Sequence, residues 1–342
     1  MKIVVDENVP FLEGVFDPYA EVLAKRGSEI GPEDVKDADA LIIRTRTRCD
    51  KALLEGSKVS LIATATIGED HIDLDYCREN GIEVQNAAGC NAGGVMQYVF
   101  SALYGVAGHR GIKLSGKTFG IVGVGNVGRR IEEMARYLGF NVLLCDPPRA
   151  EAEGPEAFVS LEELLAHSDI VSLHTPLNAS TRAMADEDFF RSMKTGAVFI
   201  NAARGEIVVD QALIDASPKL GAIILDTWNN EPDINLELLE VAHIATPHIA
   251  GYSYEGKRNG TAMAVRAVAR RFGIFQLYDF IPDCPPEDVP QKLSLEGKTQ
   301  GEIAATLQYN YPVYTDDFLL RTNPGAFESL RQNYNYRREI YI

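Results

Sequence analysis

The sequence predicts an α/β protein built on two open, mostly parallel sheets. Three observations carry this. Short apolar runs alternate with amphipathic stretches almost from end to end, which is the rhythm of strand–helix units. A longer apolar segment, 94–107, follows a glycine-rich entry and parts the rhythm in two. A glycine signature, Gly123-Val124-Gly125-Asn126-Val127-Gly128, stands at the first turn of the second half. With 342 residues the chain also exceeds what one core ordinarily serves, so two or three domains are expected.

In the first part KIVVD, ALIIR, SLIAT and IEVQN read as strands near residues 2–6, 40–44, 60–64 and 82–86. Helical candidates lie between them, such as Leu74 to Asn80, which Gly81 stops. Together they make one small open α/β domain. Segment 94–107 reads as a helix crossing into a second domain. There TFGIVG, VLLCD, DIVSLH, AVFIN, AIILD and HIAT give strand candidates at 118–123, 142–146, 169–174, 197–201, 222–226 and 243–246. Six parallel strands with helices between them match the Rossmann-type, doubly wound dinucleotide fold. After Gly251 a further helix, Glu255 to Phe272, is placed to pack back onto the first domain. Residues 282–290, PDCPPEDVP, read as a proline-rich acidic linker. The tail that follows is rich in Tyr, Asn and Arg and too short for a comfortable core. It is expected to pack on the body of the protein or on a second subunit.

Composition excludes several function classes. The chain is 46% hydrophobic and 24% charged, with a formal net charge of -16. Such a field repels nucleic acid and anionic lipid, so neither is an expected partner. An anionic substrate would need a local basic pocket. No run of about 18 apolar residues occurs, so no membrane span is expected. MKIVVDEN puts Asp6 and Glu7 where a signal peptide needs an apolar run, and reads as a first strand. Cys49, Cys77, Cys90, Cys145 and Cys284 are scattered, with no CxxC pair. That pattern fits reduced thiols in a cytoplasm and gives no reason to expect zinc or another metal.

The glycine signature carries the cofactor. It ends a strand run and opens a helix reaching to about Leu138, the context a dinucleotide loop requires. Gly123 allows the tight turn, Gly125 lets the pyrophosphate approach the backbone, and Gly128 lets the helix pack closely on the sheet. The helix start, at Asn126 and Val127, offers N–H groups and a positive partial charge to the phosphates. Asp146 ends the next strand candidate, where a carboxylate accepts hydrogen bonds from the adenosine ribose. It would repel a 2′-phosphate, so NAD is expected rather than NADP, with Arg149 nearby weighing slightly the other way.

Three later strand ends carry Arg204, Glu231 and His248. Ligands of open α/β sheets bind beyond the carboxyl ends of the strands, so all three are candidates for one cleft. Oxidising a carbinol by hydride transfer needs a base for the hydroxyl proton, and histidine titrates in the right range. A carboxylate beside it would orient it, and an arginine fork suits a substrate carboxylate. Each residue alone has a plain reading as a solvated or satisfied side chain, and spacing does not show that they touch. LIIRTRTR places Arg44, Arg46 and Arg48 alternately, so a strand continuing there would put three guanidinium groups on one face. In so acidic a chain that cluster, Arg44 foremost, is a candidate phosphate grip.

These residues resemble the D-2-hydroxyacid dehydrogenases over roughly residues 1–275. The family's Arg, Glu and His fall on Arg204, Glu231 and His248. A closer likeness, to a branch acting on a phosphorylated substrate, rests on several stretches. They are MKIVVDEN, DADALIIRTRT, ATATIGEDHID, AAGCNAGGVMQYVF, GIVGVGNVGRRI, LLCDPPRA and PHIAGYSYEGKRNGT, and in the tail PGAFESLRQNYNYRRE. The resemblance implies an NAD-dependent oxidation of a small phosphorylated 2-hydroxy acid by a cytoplasmic homodimer. It implies that Asp146, Thr175 and Asp226 contact NAD, that Gly251 sits near the nicotinamide, and that Thr45, Thr66 and Tyr252 contact substrate. It also implies the domain plan. Residues 1–93 and 256–280 form a flavodoxin-like substrate-binding lid domain, 94–255 the NAD-binding domain and 281–342 a small dimerisation domain. In the family that last domain runs some tens of residues beyond the position of Ile342, and an acid is common at the position of Asn229. Rival readings are another family member, such as a 3-phosphoglycerate dehydrogenase or a hydroxypyruvate reductase, and an NADH-sensing, corepressor-like binding protein.

Overall fold

The structure, a computed structural model, describes residues 1–283 and 292–342. The expected linker 282–290 therefore lies almost wholly outside the described residues. The first stretch of chain gives β1 (Lys2–Asp6), β2 (Glu21–Lys25), α1 (Pro32–Val35), β3 (Ala40–Ile43), α2 (Lys51–Leu54), β4 (Leu61–Thr64), α3 (Leu74–Glu79) and β5 (Glu83–Gln85). Then come α4 (Ala92–Arg110), β6 (Thr118–Val122), α5 (Asn126–Tyr137), β7 (Asn141–Cys145), α6 (Pro147–Glu153), α7 (Leu161–His167) and β8 (Ile170–Leu173). These are followed by α8 (Glu187–Ser192), β9 (Val198–Asn201), α9 (Asp210–Ala216), β10 (Ala222–Leu225), α10 (Leu236–Val241) and β11 (Ile244–Ala245). The last helices are α11 (Tyr254–Phe272), α12 (Gln300–Asn310), α13 (Val313–Thr322) and α14 (Phe327–Gln332).

The described chain divides into two compact units. The first holds Met1–Asn91 with the chain from Ser253 to Asp283, the second Ala92–Tyr252 with the chain from Lys292 to Ile342.

The first unit is a parallel sheet in the order β2-β1-β3-β4-β5. Its central strands β3 and β4 are buried throughout, as strands covered on both faces must be, and so read as unbroken apolar runs. β2 is at the edge, where Glu21 and Ala24 are exposed. It has no place among the strands expected from sequence, because a half-exposed edge strand shows no apolar run. α11 starts on a Ser253 cap and stops at Gly273, which adopts a left-handed φ of 73°. It packs on β4, and Gly260 lies so near Ala65 that a Cβ would come within 2.5 Å of its carbonyl oxygen.

The second unit is a parallel sheet in the order β11-β10-β9-β8-β6-β7. α4 is buried along 92–107 except at Gly93, and the reason is its company: α5, β10, α12 and α13 all pack on it. A helix enclosed all round has no polar stripe to keep. The tail belongs to this unit, so no separate unit corresponds to the expected domain 281–342. Its helices could not bury their apolar faces alone, and they do so here. α13 covers the edge strand β11, and Asp317 accepts the Ala245 N–H at 2.7 Å. Arg321 then donates to the Leu239 carbonyl in α10 and to the Ala242 carbonyl just past its end, both at 2.7 Å. Among the described residues no helix is long and apolar enough to cross a membrane.

Candidate active site

The glycine loop after β6 has three glycines with three different surroundings. Gly123 has a left-handed φ of 86°, and a Cβ there would come within 2.7 Å of the His174 carbonyl carbon. At Gly128 a Cβ would come within 2.1 Å of the Gly123 carbonyl oxygen, so the helix lies directly on the turn. At Gly125 a Cβ would meet nothing within 4 Å, so this glycine faces open space. Gly125 caps α5 with no side-chain hydrogen bond, which leaves the first N–H groups of the helix to a ligand.

Asp146 closes the loop from the next strand. Its Oδ2 accepts the Val124 N–H at 2.7 Å and its Oδ1 caps α6 through the Arg149 N–H at 3.1 Å. Arg149, the residue weighing toward a 2′-phosphate, is gripped by Glu153 at 2.7 and 2.6 Å and donates to the Val124 carbonyl at 2.9 Å. Beyond β8, Thr175 has a buried Oγ1 with no hydrogen-bond partner among the described residues. Burial takes the neighbouring His174 down to about 3, so it is neutral, with Nε2 on Ser172 Oγ at 2.8 Å. An open glycine, an uncapped helix start, a ribose-competent carboxylate and an orphaned hydroxyl are the features a dinucleotide fills, and NAD fits them.

The other strand ends of this sheet carry the expected triplet. Asn201, ending β9, holds the Arg204 turn: Asn201 Nδ2 donates to the Arg204 carbonyl at 2.9 Å and Oδ1 accepts the Ala203 N–H at 3.1 Å. The next residue, Gly205, touches the Trp228 backbone so closely that a Cβ would sit 2.0 Å from its carbonyl carbon. That contact binds the β9 turn to the β10 turn. Trp228 in turn donates its indole N–H to the Thr246 carbonyl at 2.9 Å, which ties the β10 turn to the end of β11.

His248 and Glu231 meet. His248 Nδ1 lies 2.8 Å from Glu231 Oε2 and 3.1 Å from Oε1, and the Trp228 N–H donates to Oε1 at 3.0 Å. His248 holds a left-handed φ of 55°. Asp226 supports this strained turn. It is 1% exposed, and its carboxylate accepts Thr246 Oγ1 at 2.7 Å, the Ile249 N–H at 2.8 Å and the Ala250 N–H at 2.9 Å. Burial raises the Asp226 carboxyl, against the opposing charge of His248 and these bonds. Burial also pushes Glu231 upward, but the His248 charge and hydrogen bond, the Trp228 N–H and Arg331 together hold it below the ordinary glutamate range. Glu231 is thus an anion that favours an Nδ1–H on His248, which in the neutral ring makes Nε2 the acceptor nitrogen. Asn229 donates to the Val208 carbonyl at 3.0 Å and to Asp210 Oδ1 at 2.5 Å.

In the first unit the strand-face expectation for the arginines needs correction. β3 ends at Ile43 and the chain turns over 45–46, so Arg44, Arg46 and Arg48 do not share one strand face. Arg44 bends to Asp6, which is wholly buried, at 2.9 Å. Arg48 is 84% exposed and pairs with Asp50 at 3.0 Å. Thr45 and Arg46 are exposed. Thr66 Oγ1 lies 2.7 Å from Thr64 Oγ1.

Two tail arginines lie against the His248 turn, and sequence reasoning passed over both. Arg337 donates to the carbonyls of Ile249, Ala250 and Tyr252, and to Gly94 in α4 at 3.0 Å. Arg331 lies 3.8 Å from Glu231 Oε2 and 3.5 Å from the Tyr252 hydroxyl. The one cue in the sequence was an excess of arginine late in an acidic chain.

Comparison with known proteins bears on this arrangement. Residues 102–250 match the model of the D-isomer specific 2-hydroxyacid dehydrogenase, NAD binding domain. An erythronate-4-phosphate dehydrogenase of Bacteroides fragilis is 46% identical, over 99% of this chain and 97% of the relative. The chain belongs to the D-isomer specific 2-hydroxyacid dehydrogenases. It is an NAD-dependent dehydrogenase of that family, and its second unit is the NAD-binding, Rossmann-type one. An erythronate-4-phosphate dehydrogenase of Escherichia coli is 41% identical over 99% of the chain and 92% of the relative. Among solved structures, an NAD+-bound 3-phosphoglycerate dehydrogenase of Entamoeba histolytica superposes with a TM-score of 0.65 and 29% identity. That likeness covers 80% of this chain and 96% of the other.

Proposed function

We propose that this dehydrogenase oxidises the C2 hydroxyl of 4-phospho-D-erythronate to (R)-3-hydroxy-2-oxo-4-phosphobutanoate with NAD, a step in the biosynthesis of pyridoxal 5′-phosphate (vitamin B6). The observation that carries the chemistry is the 2.8 Å contact between His248 Nδ1 and Glu231 Oε2. The substrate is inferred from the near full-length relatives, which are erythronate-4-phosphate dehydrogenases.

In this reading His248 Nε2 takes the hydroxyl proton as C2 becomes a carbonyl. NAD, when bound, accepts the hydride that leaves C2. Glu231 orients His248 and stabilises the imidazolium that forms. Arg204 anchors the substrate carboxylate and steadies the developing carbonyl oxygen. Gly123, Gly125, Asn126, Val127, Gly128, Asp146 and Thr175 would hold the cofactor, with Asp226 and Gly251 bordering it. Arg44, Thr45, Thr66 and Tyr252 would contact substrate, Arg44 helping with the phosphate.

The same reading makes the protein a cytoplasmic homodimer. Tyr309, Phe318 and Leu319 on the tail helices are 82%, 64% and 43% exposed, which supports the tail as the subunit contact.

Steady-state turnover on a panel of acids tests the function. We expect the highest kcat/KM with 4-phospho-D-erythronate and NAD. Preference for 3-phosphoglycerate, hydroxypyruvate or an unphosphorylated acid would assign another member of the family. NADH binding without turnover of any acid would leave a sensor.

A further inference from the structure

Arg331 is the tail arginine the structure leaves least satisfied. It rises from α14 with its side chain 16% exposed. Its Nε is buried with no hydrogen-bond partner among the described residues. Nη2 lies 3.5 Å from the Tyr252 hydroxyl, while Nη1 lies 3.7 Å from Glu328 Oε2 and 3.8 Å from Glu231 Oε2. A guanidinium carries five N–H donors, and burying one without close acceptors is costly. The two carboxylates temper its charge without filling its fork.

Its neighbours are treated differently. Arg321 is taken up by Asp317 at 2.9 and 3.0 Å and by two carbonyls at 2.7 Å. Arg337 also has an unpartnered Nε among the described residues, but both its Nη groups reach main-chain carbonyls. Arg44 in the first unit already has the buried Asp6. Of these four only Arg331 stands beside the Glu231–His248 pair with no polar contact closer than 3.5 Å among the described residues. What completes such a fork is a compact anion with several oxygens.

We propose that Arg331, together with the Tyr252 hydroxyl, is the receptor for the substrate's phosphate on the second unit. This rests on the reading of the substrate as a phosphorylated hydroxy acid. In that substrate the phosphate-bearing carbon is two carbons from the carbon oxidised. A phosphate receptor therefore belongs near the catalytic pair, and Arg331 stands 3.8 Å from Glu231 Oε2. The tail then serves specificity as well as packing. It brings a cation to a sheet whose own strand ends hold the machinery common to hydroxy acids.

The test compares the full-length protein with Arg331→Ala and Arg331→Lys on 4-phospho-D-erythronate and on unphosphorylated D-erythronate. Arg331→Ala is expected to raise KM for the phosphorylated acid about 30-fold over any change in KM for D-erythronate, as loss of one charged hydrogen-bonding group does, with Arg331→Lys in between. An equal loss on both acids, or a shifted pH profile of kcat with KM unchanged, would overturn the proposal and leave Arg331 acting through Glu231. Thermal stabilisation by inorganic phosphate is the second readout and needs no turnover. It should be present in the parent protein and lost in Arg331→Ala; retention, or absence from the parent, overturns the proposal. If the parent does not oxidise 4-phospho-D-erythronate, the proposed function fails by itself and the phosphate readout still decides Arg331. Should Arg331→Ala not fold, Arg331→Gln takes its place in both assays.

Discussion

The two sheets share a strand order and use it differently. Counted from its own first strand, each runs second, first, third, fourth and fifth, and the larger adds a sixth. An open parallel sheet makes a crevice where the order reverses, beyond the carboxyl ends of its first and third strands. In the first unit that point, at the ends of β1 and β3, is filled by an ion pair between Arg44 and the buried Asp6. In the second unit the same point, at the ends of β6 and β8, is left open, with a bare Gly125 and an orphaned Thr175 hydroxyl. Topology supplies the crevice twice. The residues placed on it decide whether the crevice stabilises the fold or receives a cofactor.

If the chemistry lies on the strand ends of the second unit, removing its base has the largest effect available. His248→Asn is the suitable change, because asparagine tolerates the left-handed conformation found there. We expect kcat to fall about 10³-fold, within the range for loss of a general base, with NAD affinity unchanged. Stopped-flow and equilibrium titration with NAD measure the two. A substitution in the first unit, Thr66→Ala, should instead raise KM and spare kcat. A kcat loss as large from Thr66→Ala would erase the contrast between the units.

The first unit's ion pair should show itself as stability. Asp6 is wholly buried, so Arg44→Ala leaves an uncompensated charge and should cost about 3 kcal/mol in urea denaturation. Adding Asp6→Asn should return most of it, because the buried charge then disappears with its partner. If Arg44→Ala leaves denaturation unchanged while turnover falls, Arg44 is a ligand first and a structural residue second.

Most of the fold was legible because parallel strands covered on both faces are apolar runs, and these stand out. The edge strand β2 was not, since none of its residues is fully buried. The arginine run misled because alternation was taken as strand, whereas the chain turns after Ile43. At the site, the glycine loop could be read residue by residue, for its conformation is encoded locally. Arg204, Glu231 and His248 could be placed at strand ends but not joined. What joins them is the Gly205–Trp228 backbone contact and the buried Asp226 carboxylate, both products of packing. Arg331 and Arg337 were out of reach for the same reason. They come from the far end of the chain, with no local pattern to mark their destination.

The smallest expected effect is the most exact test of the open crevice, because it separates two glycines three residues apart. At Gly125 a side chain has room, since nothing lies within 4 Å of a Cβ, and its φ of -76° suits any residue. Gly125→Val should therefore leave the melting temperature alone and weaken NAD binding about 10-fold, by standing where the pyrophosphate must approach the backbone. At Gly128 the geometry is reversed. A Cβ would press to 2.1 Å on a main-chain oxygen that has nowhere to go, so Gly128→Val should lower stability whether or not NAD is present. Thermal melts with and without NAD distinguish the two outcomes. Equal melting losses for both variants would mean that Gly125 is a packing residue like its neighbour, and the crevice of the second unit would then be as closed as that of the first.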